Sequence, residues 1–481
     1  MSNNQDKKEW KLKELYYFIA IGGIGMSGLA KYLLEEGFTV LGSDISESKN
    51  TIALEKIGAK IFIGHNADNL PENCIVVSST AIRESNPELK KARELNLEIL
   101  HRSDLLAKIA RGLNEDKKEY FIGYSGTHGK TTTSGLSTYV LEKAGLEPAF
   151  VVGGIVPEIG TNAKSAKGDF FVAELDESDG TIVKYQPEIS VINNLEIDHV
   201  DFYTDGLVSL LNTFNTYLGA LPNSAKVLVN IDCEGNKKLI EANENTNFIT
   251  FSLIDKNADY FAKNIELSEE TTFDIFHKGD FLINLKIKLL GLHNVYNSLA
   301  VLASLNEANA DLEMIKPHFA TFTGMGKRFE LTAKFDGISV YDDYAHHPTE
   351  IKATLTAVQS LKDKNIIAVF QPHRFSRLQG LWDDFLNAFE GNLSKVFVTD
   401  VYAASEDPIE GINSKKFVEE LSKKLDINCE YLSGNIKEVA KKLLPTLTSD
   451  DLVIGLGAGS ITTLGKELLT LKKQEREGAK V

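Results

Sequence analysis

The sequence predicts an α/β protein with three domains built on parallel sheets. Short apolar runs alternate with segments of helical length along most of the chain, a rhythm typical of doubly wound sheets. Glycine-rich turns follow such runs at residues 22–28, 123–132 and 455–460. The length of 481 residues corresponds to about three domains at roughly 150 residues each. A single small domain is thereby excluded.

Two breaks in this rhythm divide the chain. The polar stretch 111–119 separates the first unit from the run that opens at Tyr120, and the glycines and basic residues of 324–328 form a hinge. Inside the middle unit, the polar, β-leaning region 248–290 predicts a small antiparallel insertion. The predicted domains are residues 1–115, 116–328 and 329–481. Predicted strands include 16–21, 38–41, 61–63, 75–78, 121–124, 170–173, 189–193, 227–230, 338–341, 366–370, 395–399 and 452–456, and predicted helices include 26–36 and 294–306.

The composition is that of an ordinary globular protein with an acidic balance. The hydrophobic set makes up 43% and the charged set 25% of the residues, and the formal net charge is −16, which disfavours a nucleic-acid partner. No stretch approaches the roughly 18 apolar residues of a membrane span. Cys74, Cys233 and Cys429 are far apart, which indicates a reducing compartment. We expect a cytoplasmic protein without membrane or nucleic-acid partners.

The first glycine turn has the features of a dinucleotide-binding fingerprint. Gly23, Gly25 and Gly28 lie between a predicted strand and a predicted helix, and Asp44 closes the next strand. The glycines permit close approach of a pyrophosphate to the helix N-terminus, and the carboxylate can accept from a ribose hydroxyl. The pattern predicts a nucleotide diphosphate, with NAD as the default and helix packing as the alternative.

The second turn, SGTHGKTT at residues 125–132, is an ATP-type phosphate loop. Its backbone N–H groups would bind phosphate oxygens, Lys130 would reach the β and γ oxygens, and the Thr131 hydroxyl would bind Mg²⁺. In the usual phosphate-loop pattern the first glycine lies five residues before the second, whereas here Gly123 lies six residues before Gly129. We expect His128 to fill space in the loop beside the phosphates. Hydride transfer needs no such loop. An ATP-driven reaction on a nucleotide-carried substrate is therefore favoured over an NAD-dependent dehydrogenase, which remains the alternative from another class.

Acidic side chains concentrate after two strands of the middle unit. Residues 174–201 hold eight acids and one base, Lys184. Carboxylates at the C-terminal ends of parallel strands meet at the edge where ligands of open sheets bind, and hard oxygens suit Mg²⁺. We expect Glu174, His199 and Thr131 to be metal ligands; helix caps and solvated loop acids are the alternative.

The last unit carries histidines and arginines after two successive strands, in segments 341–348 and 371–377. Arginine forks match phosphate and carboxylate oxygens, and a histidine can carry a proton. These segments predict a cationic pocket that faces the acidic edge. The third glycine turn, 455–460, is explained by helix packing as well as by a ligand.

Motifs spread over the whole chain resemble the ATP-dependent Mur ligases. They occur in the family's order and include the N-terminal IGGIGMSG turn. The others are SGTHGKTT (125–132), AELDESD (173–179), NNLEIDH (193–199), GLHNVYN (291–297), KRFE (327–330), DDYAHHPTEI (342–351) and HRFSR (373–377).

The resemblance implies both a fold and an activity. It implies an N-terminal Rossmann-like domain for a UDP-carried substrate, a central P-loop ATPase domain, and a C-terminal Rossmann-like domain that closes on the site. Within the family the motifs are most similar to the ligases that join L-alanine to UDP-N-acetylmuramate in peptidoglycan precursor synthesis. ATP would be the co-substrate, two Mg²⁺ ions the cofactor, and the chain a monomer or homodimer.

The resemblance also assigns site residues, which fall into four groups. Those implied in catalysis are Lys130, His199, His347, His373 and Arg374. Those implied at ATP are Gly126, Thr127, His128, Gly129, Lys130, Thr131, Thr132, Asn294, Asn297, Arg328 and Asp343. Those implied at the UDP substrate are Gly23, Gly25, Ser27, Asp44, His65 and Ser79. Those facing the muramyl group and alanine are Tyr344, His347, His373, Arg374 and Arg377, and the metal ligands are Thr131, Glu174 and His199.

The implied reaction passes through an acyl phosphate. ATP phosphorylates the lactyl carboxylate of the UDP sugar, and the alanine amine attacks the activated carbonyl carbon. The amine must lose a proton, and His347 or His373 is the candidate base. The turn Ala403–Glu406 departs from the family's alanine-glycine-glutamate, so amino-acid selectivity is not predicted there.

Three other functions stay open on the sequence. A murein-peptide recycling ligase adds a tripeptide to the same UDP sugar, but its acidic stretch carries tyrosine where Ser178 stands. An NAD-dependent dehydrogenase would bind NAD tightly and would not hydrolyse ATP. A nucleotide-sensing regulator would bind ATP without turnover.

Overall fold

A computed structural model describes residues 15–111, 120–199, 202–268, 270–326, 329–359, 364–404, 406–425 and 427–478. Its strands form three separate sheets that follow one another along the chain, which confirms the predicted three-domain α/β class. Within these described residues, we find no helix with the length and apolar character needed to cross a bilayer.

The N-terminal domain is a five-stranded parallel sheet. Its elements are β1 (Leu15–Ile19), α1 (Ile24–Glu35), β2 (Thr39–Asp44), α2 (Lys49–Lys56), β3 (Lys60–Ile63), β4 (Ile75–Ser78), α3 (Pro87–Glu94), β5 (Ile99–His101) and α4 (Arg102–Ala110). The strand order is β3-β2-β1-β4-β5. Tyr16 and Phe18 of β1 join one apolar core, and Tyr17 and Ile19 join another. Both faces of the sheet are therefore covered, as parallel sheets require.

The central domain contains a ten-stranded mixed sheet. Its elements are β6 (Tyr120–Ser125), α5 (Lys130–Lys143), β7 (Ala149–Val156), β8 (Thr161–Lys164), β9 (Phe170–Glu174), β10 (Ile189–Ile192), α6 (Leu207–Ala220), β11 (Lys226–Asn230), α7 (Glu234–Glu241), β12 (Phe248–Ser252), β13 (Tyr260–Glu266), β14 (Thr271–His277), β15 (Asp280–Ile287), α8 (Leu292–Glu307) and α9 (Leu312–Phe319). The order is β15-β14-β13-β12-β11-β10-β6-β9-β7-β8. Strands β9 and β10 flank β6 in parallel, so the chain segments after all three meet at one edge.

The C-terminal domain is a six-stranded sheet with one antiparallel edge strand. Its elements are β16 (Glu330–Phe335), β17 (Ile338–Asp343), α10 (Pro348–Gln359), β18 (Asn365–Phe370), α11 (Phe375–Gly380), α12 (Trp382–Ala388), β19 (Lys395–Thr399), α13 (Ser414–Lys424), β20 (Asn428–Leu432), α14 (Ile436–Leu443), β21 (Asp451–Leu456) and α15 (Leu464–Gly478). The order is β16-β17-β21-β18-β19-β20, and β16 pairs antiparallel with β17.

The end of the first strand and the region 248–290 differ from the sequence predictions. The first strand was predicted to reach residue 21, but it ends at Ile19 because Ala20 has φ +61° and turns the chain. The region 248–290 does contain the predicted antiparallel pairing, between β13, β14 and β15. These strands extend the main sheet, however, because their apolar faces, including Phe273 and Ile275, belong to the central core.

The predicted domain boundaries coincide with parts of the chain that lie outside the described residues. Residues 112–119 include the boundary near 115, and Lys327 and Arg328 include the boundary near 328. Both boundaries stay predictions.

Candidate active site

The phosphate loop connects β6 to α5 and has a left-handed backbone at two glycines. Gly126 has φ +117°, and Gly129, directly before α5, has φ +82°, a region that favours glycine. A Cβ on Gly129 would lie 2.6 Å from Asn297 Oδ1. The first turn of α5, which includes Thr131 and Thr132, has no side-chain cap, so its N–H groups can bind an anion.

Lys130 is the first residue of α5 and folds back across this loop. Its Nζ donates to the Gly126 carbonyl at 2.7 Å and to Glu177 Oε1 at 2.8 Å. Burial lowers the pKa of Lys130, but the neighbouring carboxylates, Glu177 above all, outweigh burial and leave the pKa above its usual range. The loop therefore holds a charged ammonium, which suits a phosphate ligand.

Residues at the ends of neighbouring elements hold the phosphate loop by hydrogen bonds and packing. Asn194, after β10, accepts from the backbone N–H groups of Thr127 at 2.9 Å and of His128 at 2.7 Å. Asn297 of α8 is buried against the loop, and its Nδ2 donates to Asn294 Oδ1 at 3.0 Å. The structure thus places Asn297 beside the phosphate loop, with Asn294 as its hydrogen-bond partner; both were predicted at ATP.

Glu174 and Thr131, two predicted metal ligands, lie against neighbouring backbone positions: a Cβ on Gly153 would lie 2.2 Å from Glu174 Oε2, and a Cβ on Gly154 would lie 3.2 Å from Thr131 Cγ2. Glu174 Oε2 also accepts from the Gly153 N–H at 2.9 Å. Burial raises the pKa of Glu174, although Lys130 and Thr131 oppose that change. A carboxylate and a hydroxyl are hard oxygen donors, so these residues fit Mg²⁺.

His199, the third predicted ligand, has a left-handed backbone with φ +49°. Its N–H donates to Asp198 Oδ1 at 2.7 Å. Burial lowers the pKa of His199, and Lys130 lowers it further, although Asp198 opposes both. The imidazole is therefore neutral and keeps a lone pair, as a metal ligand must. His199 and Glu174 both interact electrostatically with Lys130.

Two further carboxylates of the acidic stretch, Asp176 and Glu177, already have basic partners. Asp176 forms an ion pair with Arg102 of the N-terminal domain. Burial raises the pKa of Asp176, but Arg102 and Lys130 outweigh it and hold the pKa well below the usual range. Burial raises the pKa of Glu177 to about 7 against the pull of Lys130, and Glu177 Oε2 has no hydrogen-bond partner among the described residues.

A cluster of histidines and carboxylates joins the phosphate loop to the C-terminal domain. His128 lies 3.6 Å from Glu196 and 3.6 Å from Glu350 of α10, and its ring centroid lies 4.5 Å from that of His347. Burial lowers the pKa of His128, but the two carboxylates raise it to about 9. His128, Glu196 and His347 are close enough to hold a metal ion. Because a protonated imidazole has no free lone pair, we interpret the cluster as an ionic contact between domains.

His347 contacts the central domain with its ring. Its Nε2 donates to the Ile197 carbonyl at 3.0 Å, and its Nδ1 accepts from the Thr349 N–H at 3.3 Å. His346, which the sequence analysis did not select, lies instead beside His373, with ring centroids 5.8 Å apart. The predicted role of His347 as a base stays a prediction.

Arg377 and His373 form a second contact with the central domain. Arg377 is buried, and its Nε and Nη2 both lie 3.2 Å from Asp198 Oδ1. Its Nη1 lies 3.3 Å from His373 Nδ1. Burial, with His346 and Arg377, lowers the pKa of His373 to about 3. His373 is therefore neutral at physiological pH and is a weak base in this arrangement.

Arg374, Tyr344 and Asp343 are the other predicted residues of the C-terminal domain. Arg374 has φ +68° and lies 3.8 Å from Glu406; non-glycine residues rarely adopt such a backbone. The Tyr344 ring is edge-on to that of His346 at 5.4 Å. Asp343 is buried and accepts from the Phe329 N–H at 3.1 Å. Arg328 and Ser405 lie outside the described residues.

The predicted UDP residues meet at the carboxyl edge of the N-terminal sheet. Gly23 precedes α1 with φ −60°, and the Ser27 hydroxyl donates to the Ile24 carbonyl at 3.1 Å. Asp44 Oδ2 accepts from the Gly22 N–H at 2.9 Å. His65 follows β3 and Ser79 follows β4. A Cβ on Gly25 would lie 3.2 Å from Arg102 Nη1, so a guanidinium lies beside the turn predicted to hold a pyrophosphate.

Sequence reasoning missed Arg102 and Glu350 among the residues of these contacts. Arg102 follows β5, a strand of only three residues that no apolar run marks. Glu350 is part of the motif at 342–351, but local sequence carries no signal that it would reach the phosphate loop. Both contacts depend on how the domains pack together.

The third glycine turn is explained by packing. Gly457 has φ +142°, and a Cβ on it would lie 2.7 Å from the Gln371 carbonyl oxygen. A Cβ on Gly459 would lie 2.4 Å from Gln371 Oε1. The turn is therefore packed against the residue that follows β18.

Comparison with known proteins gives matches along nearly the whole chain. Residues 15–113 match the Mur ligase family, catalytic domain; residues 125–305 match the Mur ligase middle domain; residues 327–459 match the Mur ligase, glutamate ligase domain. The UDP-N-acetylmuramate–L-alanine ligase of Geobacter sulfurreducens is 37% identical over 466 residues, covering 96% of this chain and 99% of that protein. The ligase of the same name from Aquifex aeolicus is 39% identical over 456 residues, covering 94% and 97%.

Solved structures agree with these matches. The UDP-N-acetylmuramate-alanine ligase MurC of Thermotoga maritima has a TM-score of 0.79 at 28% identity, with 96% of this chain and 99% of that chain covered. A murein peptide ligase from Psychrobacter arcticus has a TM-score of 0.68 at 21% identity, with 95% and 98% covered, and shows the shared fold. The chain belongs to the Mur ligase family.

Proposed function

We propose that this protein joins L-alanine to the lactyl carboxylate of UDP-N-acetylmuramate, with ATP as co-substrate, as a step of peptidoglycan precursor synthesis. The observation that carries this proposal is the full-length match to ligases of that name at 37% and 39% identity. The match covers all three domains, so it includes both glycine turns and the C-terminal histidine and arginine motifs.

The geometry of the central domain supports the use of ATP. Lys130 supplies a fixed positive charge in a glycine loop at the N-terminus of a helix, where phosphate oxygens bind. Phosphoryl transfer relies on charge neutralisation and alignment rather than on a covalent protein group. Thr131, Glu174 and His199 would hold Mg²⁺, which would neutralise phosphate charge when bound. The sequence prediction of two ions stays a prediction.

The proposed reaction has two steps. A carboxylate oxygen of the UDP sugar attacks the γ-phosphorus of ATP and releases ADP. The alanine amine then attacks the carbonyl carbon of the acyl phosphate, loses a proton, and expels inorganic phosphate. Both ring nitrogens of His347 are engaged, and the Nδ1 lone pair of His373 accepts from Arg377. Either histidine would therefore have to give up one of these contacts before it took the amine proton, and the predicted base stays a prediction.

The interdomain contacts support a site built from all three domains. Arg102 reaches Asp176 from the N-terminal side, and Arg377 reaches Asp198 from the C-terminal side. These two ion pairs flank the acidic edge beside Lys130. Both substrates can therefore meet there, as direct transfer between them requires.

A phosphate-release assay tests the proposal. With ATP, Mg²⁺ and UDP-N-acetylmuramate, we expect phosphate release when L-alanine is added and none when the tripeptide of the recycling ligases replaces it. Turnover with the tripeptide alone would assign the chain to the recycling branch. NAD reduction without ATP turnover would overturn the assignment to a ligase.

A further inference from the structure

A buried carboxylate in the N-terminal domain has no part in the chemistry described above. Glu88 lies in the first turn of α3, and none of its surface is exposed. Five donors surround its carboxylate. Oε1 accepts from the Tyr17 hydroxyl at 2.8 Å, the Asn66 N–H at 3.2 Å and Asn69 Nδ2 at 3.1 Å. Oε2 accepts from the Ser43 hydroxyl at 2.5 Å and lies 3.0 Å from His65 Nδ1. Burial of a charge is tolerated when it is hydrogen-bonded in this way.

The positions of the protons in this network determine which ring nitrogen of His65 carries a proton. The Ser43 hydroxyl has one proton, and its short contact assigns that proton to Glu88. Ser43 Oγ also lies 2.9 Å from His65 Nδ1. Since the serine proton is already used, the contacts of Nδ1 to Ser43 and to Glu88 both require a proton on Nδ1. A neutral imidazole carries one N–H, so Nε2 has a lone pair.

The other edge of the His65 ring lies at the predicted nucleotide site. The N–H of Gly64 donates to the Asp44 carbonyl at 2.7 Å, so His65 lies beside Asp44 at the carboxyl edge of the sheet. Its side chain is 15% exposed, whereas Glu88 is fully buried. Because Nδ1 is turned towards Glu88, the Nε2 edge is the part that can meet a ligand.

We propose that Glu88 is a positioning residue that holds His65 in the Nδ1–H form, so that Nε2 accepts a hydrogen bond from the uridine of the substrate. This inference rests on the proposed function. Uridine offers donors at its uracil imide N–H and at its ribose hydroxyls. A bond to the uracil imide would also select against cytidine, because N3 of cytosine is itself an acceptor, whereas a bond to ribose would not.

Nitrogen-15 NMR of histidine-labelled enzyme without substrates tests the tautomer. We expect a proton on Nδ1 of His65 and none on Nε2, with signals assigned by their loss in His65→Gln. In Glu88→Gln the amide can donate to Nδ1, and we expect the proton to move to Nε2. A wild-type His65 that carries a proton on Nε2, whether alone or together with one on Nδ1, or an unchanged tautomer in Glu88→Gln, would overturn the proposal.

Kinetics test the consequence for the substrate. We expect Glu88→Gln to raise KM for UDP-N-acetylmuramate about tenfold, the effect of one lost hydrogen bond, with kcat within about twofold. Tyr17→Phe is the matched control, since it removes a donor from the same carboxylate without touching His65, and its KM should not change. An equal rise in both variants would mean that Glu88 serves packing only. If the wild type does not turn over this substrate, the proposed function fails while the NMR result still decides the tautomer.

Inhibition by UDP analogues identifies the donor. We compare UDP with 3-methyl-UDP, which lacks the imide proton, and with 2′-deoxy-UDP and 3′-deoxy-UDP, which each lack one ribose hydroxyl. The analogue without the recognised donor should inhibit the wild type about tenfold more weakly than UDP does, and this difference should vanish in Glu88→Gln. Loss with the methyl analogue assigns the bond to uracil, and loss with a deoxy analogue assigns it to ribose. Equal analogue sensitivity in the two enzymes would contradict the proposal.

Discussion

The two glycine turns that open the first and second domains look alike in sequence and differ in backbone and charge. The turn at 22–28 has an ordinary backbone at Gly23, and the nearby guanidinium of Arg102 comes from another element. The loop at 126–132 has two left-handed glycines and its own lysine, enclosed by carboxylates. A glycine pattern thus predicts phosphate binding, while the charged groups around it decide whether phosphoryl transfer can occur there.

Removal of Lys130 should abolish the charge that distinguishes the second turn from the first. We expect Lys130→Ala to lower kcat/KM for ATP by about 10²- to 10³-fold, the usual cost of one charge-stabilising donor. The Kd for UDP-N-acetylmuramate, measured by calorimetry, should change less than about twofold. Lys31→Ala, in the helix after the first turn, is the control and should leave both values unchanged. Intact amide formation in Lys130→Ala would end the assignment of the phosphate loop.

Loss of a metal ligand at the second turn should weaken the binding of Mg²⁺ and so change the Mg²⁺ dependence of activity. We expect Glu174→Gln to raise the Mg²⁺ concentration for half-maximal activity by about tenfold or more, because Glu174 lies beside Thr131 at the loop. Glu142→Gln, near the end of α5, is the control. A magnesium titration of activity measures the effect. The same midpoint in Glu174→Gln and wild type would remove Glu174 from the ligand set.

The ionic contact between His128 and Glu350 should stabilise the folded protein in a pH-dependent way. The pKa of His128 is raised from 6.5 to about 9 in the folded protein, so its stabilisation is fully present below about pH 6.5 and is lost as pH rises through about 9. We expect Glu350→Gln to lower the free energy of unfolding by about 1–3 kcal/mol at pH 6 and by less at pH 10. Denaturant unfolding at both values checks this. A difference that does not depend on pH would contradict the cation at His128.

The smallest expected effect is on stability, and it follows from the different backbone conformations of the two turns. Gly129→Ala should destabilise the protein by about 1–2 kcal/mol, since alanine is strained at φ +82° and its Cβ would contact Asn297. Gly23→Ala should cost less than about 0.5 kcal/mol, because its φ is −60° and the nearest atom to a Cβ is at 3.6 Å. Thermal unfolding of the two variants without ligands measures the contrast. Equal losses would show that the turns share one conformation.

The sequence predicted the sheets well because their strands are buried on both faces and appear as apolar runs. It missed β8 (Thr161–Lys164), whose residues are mostly polar, and β5, which has three residues. It also missed β7, although that strand is an apolar run, and the strands β16 and β20 of the C-terminal sheet. The acidic edge was predictable, since parallel topology brings the ends of β6, β9 and β10 together. The pairs of Arg102 with Asp176 and of His128 with Glu350 were not, because they depend on domain packing. The adjacent His346 and His347 point to different neighbours, which local sequence does not distinguish.

We expect the two turns to hold two substrates that react with each other through a phosphorylated carboxylate, and an oxygen-18 transfer experiment checks this reaction. With UDP-N-acetylmuramate labelled in both oxygens of its lactyl carboxylate, ATP and L-alanine, mass spectrometry of the released phosphate should find one oxygen-18 atom per phosphate. Phosphate released without label would contradict this expectation, because the carboxylate would then not have been phosphorylated.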